Sequence, residues 1–148
     1  MLVLCTNRCS KFELMNISPS IIANVGLALT VIIALAGIDK RLRSDRTLLV
    51  MGVAALTIGI VGFLIRSEST GMARGNAADF LFGPFIYVLS YGLLRKLYKS
   101  IYKVEPTYVW LSGYDAEDMR DVNFLDKVVY VLPLLLGMVL PFIGKVIE

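Results

Sequence analysis

Four long uncharged runs divide the chain, each bounded by charge or by turn residues. Ile21 to Ile38 is the first, with Asn24 its only strongly polar side chain, and Thr47 to Ile65 is the second. The third, Phe80 to Leu94, is short if charges bound it strictly. Asn76-Ala77-Ala78-Asp79 extends it at one end, and a helical pattern continues through Tyr102 at the other. The fourth runs from Val128 to Ile143 and on around Lys145 to Ile147, with Pro133 and Pro141 inside it. A helix needs about 20 apolar residues to cross about 30 Å of hydrocarbon, so each run predicts a spanning helix. The expected fold is all-α, a polytopic membrane protein with four transmembrane helices in an antiparallel bundle. Its spans are expected at about 20–38, 47–65, 77–95 and 127–147, with a cytoplasmic loop over 96–126.

The punctuation supports these bounds. Ser18-Pro19-Ser20 offers a capping serine and a proline at a position whose N–H would be orphaned anyway. The short charged connection after Ile38 makes the first two helices a hairpin. Residues 1–16 read as an extracytoplasmic tail ahead of a single domain over 17–148. Met15 directly precedes the capped helix and is an alternative start, so residues 1–14 are expected to be dispensable. Cys5 and Cys9 lie in that tail, at a spacing that matches no metal or redox motif.

Composition agrees with a lipid surround. Apolar residues make up 57% of the chain and charged residues 18%, against about 45–50% and about 25% in soluble domains. Of the 15 basic residues, four lie at 40–46 and six at 95–127, on one side of the expected membrane. The positive-inside rule then puts both connections in the cytoplasm and both termini outside, as in a bacterial cytoplasmic membrane. The net charge of +3 is spread over segment ends, so no nucleic-acid partner is expected.

Small residues recur along the first two runs: Ala23, Gly26, Thr30, Ala34 and Gly37, then Gly52, Ala55, Gly59 and Gly62. Such stripes let helix backbones approach closely in lipid. They are expected to face each other within the hairpin, or to meet a second copy in a homo-oligomer.

Candidate chemistry is sparse. The chain has no histidine, which removes the commonest general base and the commonest transition-metal ligand, and no cofactor, metal or enzymatic activity is expected. The third run carries a polar row at intervals of four, Asp79, Gly83, Tyr87, Tyr91 and Arg95, with Ser90 beside it. Polar rows in spans face the bundle interior or a watery path. The row therefore reads either as a solute or ion path with Asp79 at its mouth and Asn24 as partner, or as packing with Asp79 as a helix cap. Lys96, Lys99 and Lys103, with Trp110 downstream, are candidate lipid-headgroup contacts. Asp115-Ala116-Glu117-Asp118 resembles a helix start. Six acids between 105 and 127 are expected to pair with the four bases of 95–103.

In size and helix count the chain is similar to the small membrane enzymes of glutathione and eicosanoid metabolism, to several small channels, and to small exporters such as the multidrug exporters. The Arg/Glu/Asn-rich motifs of the former are not visible in the spans, and the first helix lacks the embedded acid of the latter. The expected function is that of a small oligomeric, non-enzymatic membrane protein, pore-like or an assembly partner. The alternatives are a secondary transporter or exporter using the third-helix row and, behind it, a membrane enzyme.

Overall fold

The computed structural model describes residues 18–38, 41–66, 70–72, 75–107, 114–115 and 119–143. The chain is helical, and four of its helices are long and apolar enough to cross a membrane. They are α1 (Pro19–Ile38), α2 (Asp45–Ile65), α3 (Gly83–Tyr102), which a 3-10 helix (Ala77–Phe82) precedes directly, and α4 (Phe124–Ile143).

Local sequence explains the boundaries. Proline is the first residue of α1, where its missing N–H costs nothing. α2 begins two residues before the expected Thr47, because Asp45 in its first turn complements the positive end of the helix. Asn76 rather than Asp79 caps the third span, its Oδ1 accepting the Ala78 N–H at 3.0 Å. The chain enters that span as a 3-10 helix and changes to α at Gly83-Pro84. α4 starts at Phe124, earlier than the apolar run implies. Asp126 closes that start by accepting the Asn123 N–H at 2.9 Å. Asp115 does not begin a helix: Tyr114–Asp115 pairs with Arg120–Asp121 in a two-residue antiparallel ladder. Cys5, Cys9, Met15, Trp110, Glu117, Asp118 and Lys145 lie outside the described residues.

The third span is the centre of the molecule and the most buried of the four, while α2 is the least buried. Its 3-10 entry wedges between α1 and α2, which make little direct contact with each other. The small-residue stripes therefore do not meet. On α1, a side chain at Gly26 would fall 2.5 Å from the Phe80 carbonyl oxygen. On α2, Gly59 lies against the Phe82 ring and Gly62 against Leu81 and Ala78, while Gly52 faces Val88. Ala34 is buried in the main core beside Tyr87 and Tyr91. The stripes are slots for the third span. Hairpin connectivity brings α1 and α2 close in sequence, but the bulky Phe80-Leu81-Phe82 step fills the space between them.

A second close approach locks α3 to α4. A side chain at Gly137 would fall 2.9 Å from the Gly83 carbonyl oxygen, and Thr30 of α1 packs into the same crossing. Thr30 is fully buried and donates its hydroxyl to the Gly26 carbonyl at 2.9 Å.

Candidate functional site

The polar row of the third span is one column, and protein encloses its middle. Tyr87 and Tyr91 are both fully buried. Their rings lie nearly parallel with centroids 6.0 Å apart, and Tyr130 of α4 tilts against Tyr91 at 5.3 Å. Ile33, Leu42 and Val129 complete the apolar surround. The Tyr87 hydroxyl sits against the end of α1, where a side chain at Gly37 would fall 2.7 Å from it. Neither the Tyr87 nor the Tyr91 hydroxyl has a hydrogen-bond partner among the described residues. Tyr130 differs, since it donates to the Pro106 carbonyl at 3.1 Å.

Both ends of the column are charged. At one end Asp79, a quarter exposed, stands 3.9 Å from the Arg66 guanidinium at the close of α2. At the other, Arg95 is buried and fully engaged. Its Nη1 donates to Asp45 Oδ1 at 2.7 Å, and its Nε and Nη2 donate to the two carboxylate oxygens of Glu105 at 2.8 and 3.0 Å. This two-pronged fit is the geometry guanidinium and carboxylate share. Lys99 adds a third bond, from Nζ to Glu105 Oε1 at 2.6 Å. The Arg95 and Lys99 cations hold the Glu105 carboxyl at about 2, well below its usual 4.5.

The same end ties down the chain that follows α3. Lys103 closes that helix in a left-handed conformation, with φ of 60°. Arg43 donates to the Pro106 carbonyl at 3.2 Å, and fully buried Asp126 accepts the Thr107 N–H at 3.1 Å. Glu105 thus pairs with the upstream bases. Asp126 accepts backbone N–H groups from both Thr107 and Asn123.

Two further sequence candidates lie apart from the column. Ser90 is half-buried on α3. Asn24 does not join the row: it is exposed on the outer face of α1, turned away from the buried stripe of that helix. Of the lysines, Lys96, Lys99 and Lys103 are all exposed, and Lys96 lines an apolar groove between α2 and α3. Asp45, Tyr130 and Gly137 are residues that sequence reasoning missed, and Asn76 reads in the sequence as part of the third span but not as its cap. Tyr130 and Gly137 follow Asp126 on one helical face, with Pro133 and Pro141, and that spacing was their only signal. Among the described residues no three acids or cysteines come close enough to hold a metal ion. No family model, no curated protein and no solved structure matches the chain.

Proposed function

We propose that this chain is a non-enzymatic membrane protein that self-associates, and that it works as a component of a membrane assembly. It sits as an antiparallel four-helix bundle in a bacterial cytoplasmic membrane, with residues 39–46 and 95–127 in the cytoplasm and both termini outside.

Asn24 carries the reading. Ile21, Asn24, Ala28, Val31 and Leu35 are all exposed and recur at three and four residues along the outer face of α1. That spacing is a coiled-coil seam, and a single polar side chain in such a seam fixes register. Among the described residues the Asn24 amide has no partner, and lipid tails offer none. A carboxamide both donates and accepts, so two copies related by a two-fold axis satisfy each other. Enclosure of Tyr87 and Tyr91 by protein supports a packing role for the column.

Asn24→Val is the test, read by subunit exchange between fluorescently labelled chains in vesicles. Each inter-helix hydrogen bond in lipid contributes about 0.6–2 kcal/mol, so association is expected to weaken roughly 3- to 30-fold per bond lost. Association as tight as that of the unaltered chain would overturn the reading.

A second reading, a proton or solute path, is favoured by one observation only, the two unpartnered tyrosine hydroxyls.

A further inference from the structure

An open apolar groove of about 220 Å³ runs between α2 and α3 on the outside of the bundle, away from the α1 seam. Leu48, Gly52, Val88, Leu89 and Gly92 form its floor and walls, and Lys96 stands at one end. Two of its lining residues are glycines. The missing side chain of Gly92 leaves room for Leu48, whose nearest carbon would lie 3.0 Å from a Cβ there. At Gly52 a Cβ would meet only Val88, at 3.6 Å. Apart from Lys96 the lining is wholly apolar, which is what a flexible hydrocarbon chain requires.

Charge at its end selects the rest of the occupant. Lys96 is exposed and has no carboxylate partner among the described residues, whereas its neighbours Arg95 and Lys99 are committed to Asp45 and Glu105. Arg46, also exposed, follows Asp45, the residue that bonds Arg95. This is the side of the molecule where basic residues concentrate, and a cytoplasmic leaflet is the anionic one.

We infer that the groove is a binding site for an anionic phospholipid: one acyl chain lies along Gly52 and Gly92, and the headgroup phosphate rests on Lys96. The inference depends on the membrane-spanning reading. No residue of α1 lines the groove, so an assembly formed through Asn24 does not draw on its lining.

The test titrates the detergent-purified full chain with phosphatidylglycerol and phosphatidylcholine of equal chain length, and counts retained lipid by native mass spectrometry. One phosphatidylglycerol is expected to be retained in preference to phosphatidylcholine. Lys96→Gln is expected to weaken that retention about fivefold, the effect of one base near an anionic surface. Lys103→Gln, which removes a charge beyond the groove, is expected to leave it nearly unchanged. Gly52→Leu fills the groove without altering charge and is expected to release both lipids. Equal retention of the two lipids, or equal losses in the Lys96 and Lys103 variants, would overturn the site. Full competition by soluble glycerol phosphate would reduce it to a headgroup contact and overturn the groove. If Gly52→Leu loses a dimer instead of a lipid, the groove holds a second copy and the inference falls. Alkaline washing of membranes separates the two levels. A chain released by the wash overturns the spanning reading and this site together, while one retained without lipid preference overturns the site alone.

Discussion

The Arg95 guanidinium donates to Asp45 Oδ1 at 2.7 Å, which ties the end of the third span to the first residue of α2 across 50 positions of sequence. Arg95 is the buried partner, with 6% of its side chain exposed, while Asp45 keeps 81%. The consequences of removing each are therefore unequal. Breaking a buried pair typically costs about 3–5 kcal/mol. Arg95→Met is expected to cost less, about 2–3 kcal/mol, because Asp45 keeps its water and Glu105 keeps Lys99. Asp45→Asn is expected to cost under about 1 kcal/mol, as exposed pairs do. Unfolding of the detergent-solubilised variants measures both, and equal losses would contradict the assignment of Arg95 as the buried anchor.

Glu105 gives the fold a pH dependence. Its carboxyl is held at about 2 in the folded chain against 4.5 ordinarily. A depressed acid stabilises the fold above its unfolded value, and that contribution is lost as pH falls through the folded value. Stability is therefore expected to decline between about pH 4.5 and pH 2 in the unaltered chain. The Glu105→Gln chain is expected to start lower and to decline less over that window. Melting temperatures at pH 6, 4 and 3 check this. Parallel declines in both chains would show that other acids control the window.

The helix spans were legible because an uncharged run of membrane length has few alternative fates. The partners of each face were not. Gly26 and Gly59 announced close packing, but small residues accept any backbone, and nothing local names Phe80 or Phe82 as the occupant. Arg95 was visible as the end of a polar row. Glu105 was among the acids expected to pair with the bases of 95–103, whereas Asp45 was hidden because it lies in another helix. In α4 Tyr130 and Gly137 share one face with Asp126, yet a long apolar run marks a span without naming what that face meets. Asn24 was misplaced for the opposite reason: a polar residue in a span invites an interior position, yet its neighbours Ala23 and Gly26 are the buried ones.

Two glycines on different faces are expected to respond oppositely to alanine. At Gly137 a Cβ would fall 2.9 Å from the Gly83 carbonyl oxygen and 3.1 Å from Thr30, so α4 must move off α3. Overpacking of this kind costs about 1–3 kcal/mol. At Gly52 the nearest atom lies at an ordinary 3.6 Å, and alanine gains up to about 1 kcal/mol in helix propensity. Gly137→Ala is thus expected to lower the melting temperature, and Gly52→Ala to hold or raise it. The reverse order would remove the α3–α4 crossing from the account.

Topology is checked by single cysteines placed in a chain with Cys5 and Cys9 changed to serine. Ser44→Cys lies in the first basic connection and Ser69→Cys in the connection on the other side. In intact cells a membrane-impermeant maleimide is expected to label the second and spare the first. Labelling at position 44 from outside would invert the bundle and move the proposed lipid site to the other leaflet.

The column itself separates packing from conduction. A buried hydroxyl without a partner costs about 1–3 kcal/mol, and the Tyr87 hydroxyl is buried and unpartnered among the described residues. If the column is packing, Tyr87→Phe removes that penalty and keeps the ring against Tyr91. The variant is then expected to be as stable as the unaltered chain, or more stable by up to about 2 kcal/mol. Asp79→Asn is expected to be equally mild, because its contact with Arg66 is long, at 3.9 Å, and partly exposed, and Asn76 already caps the helix. A proton path would make different demands. The same hydroxyl would then be a relay between the two charged ends, and its loss would lower proton flux tenfold or more in vesicles without harming the fold. Proton flux in reconstituted vesicles is therefore measured beside stability for both variants. Unchanged flux with retained or raised stability is the expected result. A stable Tyr87→Phe chain that has lost a proton flux present in the unaltered protein would sink the assembly reading and make the column the functional centre.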